Sequence, residues 1–405
     1  MKTSTLRTVD RVFGVPSCAL LTLHRRMFGR RPEGPVRRIL FVKLAEQGST
    51  VLAETAICDA IARVGRDNVF FLVFTENRFI LDVMGLVPGD HVVTLDASSL
   101  PVVVRSTLQA LRRLRALHID TAIDLEFFAR SSAILAYMSG ATRRVGLHAY
   151  EGAGPWRGDL LTHRLNYNPY IHTGDLFHLF VAALDQPPDQ FPAYPAKPPV
   201  AYERTSGPRP AAPADLTAVE GMLREWTGSA TAPPIVLLNA NCGDLVPLRR
   251  WAEDRYIELA RRLLDAREDL RIVFTGRPDE APGAERLARA VASPRCVSLA
   301  GRTTLGQLLA LYSLSQVLVT NDSGPAHFAT LTPIDVVTLF GPETPALFAA
   351  RTPRNHVLWA GLACSPCVSA FNNRLSDCRD NLCMQRIPVD DVLAETLAAL
   401  ARRLR

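Results

Sequence analysis

From residue 38 onward, short apolar runs alternate with amphipathic stretches, and this alternation constrains the fold more than any other feature of the chain. Arg38–Lys43, Val69–Phe74, His91–Leu95 and Thr121–Leu125 each have the length of one strand and are largely apolar on both faces. Strands of that kind belong to parallel sheets covered by helices on either side. Helical spacing appears between them, as at Leu108, Leu111, Leu114 and Leu117. The alternation resumes with Ile235–Asn239, Ile272–Gly276, Val297–Gly301, Val317–Val319 and Val336–Phe340. It closes with a helix predicted from Pro388 to about Leu404, its apolar side formed by Val389, Val392, Leu393, Leu397 and Leu400.

At 405 residues the chain exceeds the size at which one core stops growing. Nine of its 29 prolines fall between residues 185 and 215, which marks a semi-extended linker. The expected architecture is therefore α/β, with two doubly wound Rossmann-like domains whose ligand sites lie outside the C-terminal ends of their strands. Predicted boundaries are a basic amphipathic extension over 1–36, a first domain over 37–200, a second over 201–387 and a C-terminal helix over 388–405.

The net charge of +6 would suggest a polyanionic partner, but its distribution is uneven. Residues 1–38 carry nine Lys and Arg against two acids, a net of +7, and the remainder carries −1. Arg7, Arg11, Arg25, Arg26, Arg30, Arg31, Arg37 and Arg38 surround an apolar stretch, Val12–Leu23, that contains Gly14 and Pro16. That stretch is too short to span a bilayer. No small-residue cleavage site follows it, so export is not expected. Two readings stay open: an interfacial segment held by anionic lipid headgroups, or a helix packed on the body with a solvated basic face. Nucleic-acid binding is not expected, because aromatic residues are not interleaved with the basic ones.

Eight cysteines without an export signal indicate a reducing compartment. Cys18, Cys58, Cys242 and Cys296 lie among apolar neighbours, as core cysteines do. The other four form Cys364-x2-Cys367-x10-Cys378-x4-Cys383. Its first pair has zinc-ligand spacing and its second does not, so a loop of free thiols is favoured over a tetrahedral site and no metal is assigned.

The most informative stretch is Thr320-Asn321-Asp322-Ser323-Gly324-Pro325-Ala326-His327, directly after the apolar Val317–Val319. A strand breaks there into a Gly-Pro turn, with a helix predicted to start near Ala326. Helix starts offer backbone N–H groups and positive dipole to an anion such as a diphosphate. Asp322 or Ser323 would cap it, and Gly324 would let a ligand approach the backbone. An ordinary capped β-to-α turn is the alternative. The segment runs on to Val336–Phe340 and then Gly341-Pro342-Glu343-Thr344-Pro345.

Here the chain resembles the family 9 glycosyltransferases, the group containing the ADP-heptose:lipopolysaccharide heptosyltransferases. Both halves of that family's signature are present, the Asn-Asp-Ser-Gly-Pro-x-His helix start and the Phe-Gly-Pro turn. The resemblance covers about 37–400. It implies a GT-B fold, a nucleotide-sugar donor such as ADP-heptose as substrate, no required cofactor, and a glycan or glycolipid acceptor. A cytoplasmic protein is expected, peripheral at the inner face of the cytoplasmic membrane if the basic N-terminal segment is the interfacial one.

Glycosyl transfer needs charge stabilisation for the departing diphosphate, a base for the acceptor hydroxyl, and exclusion of water. With no Asp-x-Asp metal motif, stabilisation falls to the Asp322, Ser323, Gly324, Pro325 and His327 turn and to basic side chains. Arg249-Arg250-Trp251 follows Asn239-Ala240-Asn241 and resembles the family's basic-basic-Trp element. Arg249 takes the place of its phosphate-contacting first member, while Trp251 reads as a packing residue. Asn241, Thr275 and Gly276 end strands on the nucleotide side, and Glu343 would reach a ribose or sugar hydroxyl.

In the first domain, Lys43–Leu52 resembles the family's first strand-turn-helix, which usually holds a Gly-Asp whose Asp is the general base. This chain has Gly48-Ser49. Ser49 cannot serve unaided, so Glu46, three residues earlier, is the substitute carboxylate, with a helix-start acid as its alternative role. Arg130, Arg143 and Arg144 would bind an anionic acceptor, with Gly48 beside it. The function expected is an inverting transferase moving a sugar, heptose by analogy, onto a cell-surface glycolipid or polysaccharide. A different nucleotide sugar, or binding without turnover, are the alternatives.

Overall fold

The computed structural model describes residues 3–149, 155–193, 208–228, 233–243, 246–372 and 374–403. The middle of the expected proline-rich linker, with the predicted 200/201 boundary, lies outside the described residues, as do the end of the last helix and the Arg7 side chain. Two compact units emerge: Met1–Tyr202 with Ser369–Arg374, and Glu203–Val368 with Leu375–Arg405.

The first unit is built on β1 (Ile39–Val42), β2 (Val69–Phe74), β3 (Val92–Leu95), β4 (Thr121–Asp124), β5 (Arg143–Leu147) and β6 (His163–Leu165), in spatial order β3-β2-β1-β4-β5-β6. The second is built on β7 (Ile235–Asn239), β8 (Arg271–Phe274), β9 (Cys296–Ser298), β10 (Val317–Asn321), β11 (Asp335–Phe340) and β12 (Asn355–Trp359), in order β12-β11-β10-β7-β8-β9. Every pairing among these strands is parallel. Each chain path therefore moves outward for three strands, then returns beside its first strand and moves the other way. The two points of reversal are β1/β4 and β7/β10, where such folds open a crevice at the strand ends.

Apolar residues on both faces of the central strands make this layering. β1 is wholly buried, as is β7. On one side of the second sheet, Val236, Leu238, Ile272, Phe274, Val317 and Val319 share a core with Leu259 and Leu263 of the helix Glu253–Ala266 and with Val392 and Leu400 of Val389–Arg403. Strands β5, β6 and β12, at or next to a sheet edge, carry Arg143, His163, Arg164, Asn355 and His356 and give no apolar run, which hides them in the sequence. The apolar stretch near the N-terminus is one helix, Thr3–Phe28, with Pro16 inside it.

Candidate functional site

In the second unit the predicted donor residues lie at or just beyond the C-terminal ends of β7, β8, β10 and β11. Arg249 closes a short 3-10 turn, Pro247–Arg249, and is the hub. Its Nη2 lies 2.9 Å from Glu343 Oε1, its Nε 3.4 Å from Asp322 Oδ2, and its Nη1 donates to the Asp322 carbonyl at 3.1 Å. All three side chains are largely buried, Glu343 almost completely. One cation between two carboxylates at low dielectric is a structural commitment, because removing one member of a buried ion pair is costly. Arg249 thus ties the β10 and β11 turns together, at the position where the sequence suggested a phosphate ligand. The exposed neighbour Arg250 was passed over in the sequence, and its guanidinium interacts with the Cys242 thiol. Burial pushes that thiol up and Arg250 pulls it back.

Asparagines at the two central strand ends do the remaining bracing. Asn321 Oδ1 accepts from the Trp251 N–H at 3.1 Å and the Tyr256 hydroxyl at 3.3 Å, and its Nδ2 donates to Asn241 O at 3.1 Å. Asn239 Nδ2 donates to the carbonyl and the hydroxyl of Thr275, both at 3.3 Å, and its Oδ1 accepts from the Asn241 N–H at 3.2 Å. A Cβ on Gly276 would stand 2.9 Å from Asn241 Nδ2, so a larger residue there would push that amide aside. Trp251 is fully buried and packs edge-on against Tyr256, as a packing residue does.

The helix after β10 spans Gly324–Ala329, starting earlier than predicted and only six residues long. So short a helix has a small dipole. Neither Asp322 nor Ser323 caps it: Ser323 is the N-cap residue without a side-chain cap bond, and its hydroxyl donates to Asn321 O at 3.1 Å. Pro325 fills the first turn and His327 is buried. Gly324 has a second constraint, since a Cβ there would stand 3.1 Å from the Phe328 ring.

In the first unit the reversal point gathers a different set. Lys43, fully buried at the end of β1, donates to Glu126 Oε2 at 3.0 Å, and Glu126 Oε1 accepts from the Ala45 N–H at 3.0 Å. Lys43 Nζ is also 3.7 Å from Glu46 Oε2. Asp124, fully buried at the end of β4, pairs with Arg157 at 3.0 Å and accepts from Ser132 at 2.9 Å. Burial pushes the Asp124 carboxyl up, against the pull of Arg157.

Glu46 stands at the rim of this network. Ser49 Oγ donates to the Glu46 carbonyl at 2.9 Å and to its carboxylate at 3.3 Å, so the two expected catalytic residues are in contact, with Gly48 buried beside them. Arg374 forms an ion pair with the other carboxylate oxygen and lies 5.6 Å above the Phe127 ring. Phe371 packs on Phe128 and Tyr167, with ring centroids 6.3 and 5.0 Å apart. Glu46, Phe128 and Arg374 all have left-handed backbone, with φ of 63°, 60° and 55°. Non-glycine residues held there each carry a cost of about 1–3 kcal/mol, and such strain concentrates at functional sites.

The predicted acceptor arginines are engaged elsewhere. Arg144 is buried and donates to the carbonyls of Leu160, Ala141 and Thr142, and Arg143 donates to Gly34 O. Arg130 holds Asp10 and the Trp156 carbonyl. These are contacts that bind the chain to itself, and Arg144 in particular is a structural residue. All eight cysteines are thiols; Cys364 and Cys378 are exposed and Cys383 is buried. Among the described residues no group of three or more His, Cys, Asp or Glu side chains is arranged to hold a metal.

Residues 107–375 match the profile of glycosyltransferase family 9 (heptosyltransferase). The chain belongs to glycosyltransferase family 9. Over 101 residues it is 36% identical to lipopolysaccharide heptosyltransferase 2 of Escherichia coli K12, a segment covering 24% of this chain and 29% of that relative's length. Its fold is similar to that of E. coli ADP-heptose lps heptosyltransferase II, with a TM-score of 0.69 at 18% identity over 91% of this chain and all of the other. E. coli heptosyltransferase WaaC with ADP gives 0.59 at 17% identity, over 89% and 99% of the two chains. Identities this low speak for the fold alone, and that fold is GT-B, with two doubly wound units as expected. Lys43 and Asn239 stand in stretches read as family-like, but no role was legible in the sequence for either of them or for Glu126. Arg374 gave no signal, standing 328 residues from Glu46.

Proposed function

We propose that this chain is an inverting glycosyltransferase that moves a sugar from a nucleotide-sugar donor, ADP-heptose by its relatives, to a lipopolysaccharide-type acceptor. The acceptor oxygen attacks the anomeric carbon, the bond from that carbon to the diphosphate breaks, and the nucleoside diphosphate leaves with the electron pair. The hydroxyl proton passes to Glu46. Ser49 orients that carboxylate, and Gly48 leaves room for the acceptor. Asn241, Thr275, Gly276, Asp322, Ser323, Gly324, Pro325, His327 and Glu343 shape the donor site, with Arg249 as the clamp that positions its turns. No cofactor is required in this scheme, so EDTA should leave turnover unchanged. The membrane face of the cytoplasm is where such an acceptor would be met.

One observation carries the proposal. The family signature residues Asn321 and Asp322 fold onto the β7/β10 reversal point, where Asn321 donates to the Asn241 carbonyl and Asp322 meets Arg249, which in turn pairs with Glu343. A panel of ADP-, UDP- and GDP-sugars tests it, scored by thermal shift and then by nucleotide release with heptose-deficient lipopolysaccharide. ADP-heptose should raise the melting temperature and release ADP only when acceptor is present. Release from a different sugar nucleotide would keep the fold assignment and change the donor. A shift without release would make the chain a binding protein, and no shift with any donor would sink the proposal.

A further inference from the structure

The helix Thr3–Phe28 is inside out for a surface helix. Its inner face holds the polar contacts. Asp10 accepts from the Ser131 N–H at 2.8 Å and pairs with Arg130, Thr22 accepts from the Asp159 N–H at 2.8 Å, and Arg25 pairs with Asp159 at 2.8 Å and with Asp189. Cys18 is fully buried against Ala133 and Leu160. The fit is close: a Cβ on Gly14 would stand 2.8 Å from the Arg130 side chain, and one on Gly158 would stand 2.6 Å from Thr22 Oγ1. This helix is therefore an integral, tightly docked part of the first unit.

Its outer face is apolar. Val12, Phe13, Leu20, Leu23 and Met27 are between 56% and 68% exposed. Val12, Pro16, Leu20, Leu23 and Met27 recur at three- and four-residue spacing, which aligns them in one stripe turned away from the docked face. A face left to water would be polar, and isolated exposed apolar residues would be unremarkable; five large ones in a row are not. Arg11, Arg26, Arg30 and Arg31 are exposed on the same segment. The first 38 residues carry +7 while the rest of the chain carries −1. The helix is not long and apolar enough to cross a membrane.

We propose that the outward face of Thr3–Phe28 is a docking surface for an anionic lipid bilayer. Leu20, Leu23, Met27, Phe13 and Val12 enter the boundary between headgroups and acyl chains, and the flanking arginines meet the phosphates. Charge alone would suit any polyanion. Apolar stripe and cationic flanks together fit a surface that is greasy inside and negative outside. The docking places the helix axis parallel to the membrane and fixes the first unit to it. It stands independently of the donor assignment above.

Flotation of the full chain with phosphatidylcholine vesicles, with and without phosphatidylglycerol, tests this. Wild type should float with the anionic vesicles and progressively less as salt rises. The triple change Leu20→Ser, Leu23→Ser and Met27→Ser should lower partitioning by about tenfold or more, with melting temperature and circular dichroism unchanged. Changing Arg26, Arg30 and Arg31 to Gln should abolish the preference for anionic lipid. As a readout independent of those variants, Leu20→Trp should be quenched by brominated acyl chains. The proposal is overturned if wild type ignores both vesicles, if the triple variant floats like wild type, or if Trp at position 20 is not quenched. It is equally overturned if the stripe proves to pair two copies, seen as a wild-type dimer that the triple variant dissociates without any vesicle binding.

Discussion

The two reversal points share one topology and hold opposite electrostatics. At β7/β10 a single buried cation, Arg249, is gripped by two carboxylates, Asp322 and Glu343, with asparagines at the central strand ends bonded to neighbouring loops. At β1/β4 the arrangement inverts. A carboxylate, Glu46, sits between two cations, Lys43 and Arg374, and remains a quarter exposed. The first is a closed brace suited to holding loops at fixed spacing. The second keeps a carboxylate oxygen at the surface, on strained backbone and in contact with a hydroxyl. Identical strand order thus sets where a site can form, and the handful of residues at strand ends sets what it can do.

The difference is open to attack by mutation. Glu46→Gln keeps the side-chain shape and removes the charge. Turnover should fall by about 10²–10⁴-fold, the usual contribution of a positioned base. Donor affinity by calorimetry should be unchanged, and Ser49→Ala should be milder. If turnover survives, Glu46 is a helix-start acid and the first site loses its reactive centre.

Arg249→Ala should act on stability before it acts on chemistry. Two buried carboxylates would lose a cationic partner, at a cost of about 3–5 kcal/mol in denaturant unfolding. Unfolding indistinguishable from wild type, with only donor affinity lost, would return Arg249 to the role of phosphate ligand.

Arg374→Gln probes the opposite side. The Arg374 cation beside the Glu46 carboxylate favours its charged form over its protonated one. Loss of Arg374 should therefore shift the pH dependence of turnover, and change kcat by about tenfold. A drop in stability with the pH profile fixed would make it a strap only.

The smallest effect belongs to a pair away from both sites. His178 and Asp59 join the helices Thr173–Ala182 and Glu54–Val64 at 2.5 Å, and the hydrogen bond to Asp59 raises the histidine above its ordinary range. A raised folded value means the added stability is fully present below the unfolded histidine range, about 6.5. It fades as pH climbs through the folded value. The melting-temperature gap between wild type and His178→Gln should thus be widest in acid and close above neutrality. A gap that widens with pH would reverse the assignment.

The central strands, the α/β class and the donor-side motif were all readable in the sequence, because each depends on residues close together in the chain. A buried parallel strand announces itself by apolar content, and β1, β2, β7, β10 and β11 did so. Strands β5, β6 and β12 did not. Glu46 and Ser49 were named for their proximity to a familiar turn, and the structure puts the hydroxyl on the carboxylate. Arg144 misled because a guanidinium in sequence looks the same whether it meets water or three carbonyls.

Local pattern determined the two sheets, the Gly-Pro turn after β10 and the charge imbalance of the first 38 residues. Tertiary structure decided which charges meet: Arg249 with Asp322 and Glu343, Arg374 with Glu46, Arg25 with Asp159. It also decided that the N-terminal helix turns its apolar stripe outward. Periodicity reports that a helix has an apolar side, but only packing chooses which side the body covers, because ion pairs and close glycine contacts on the other face hold it there.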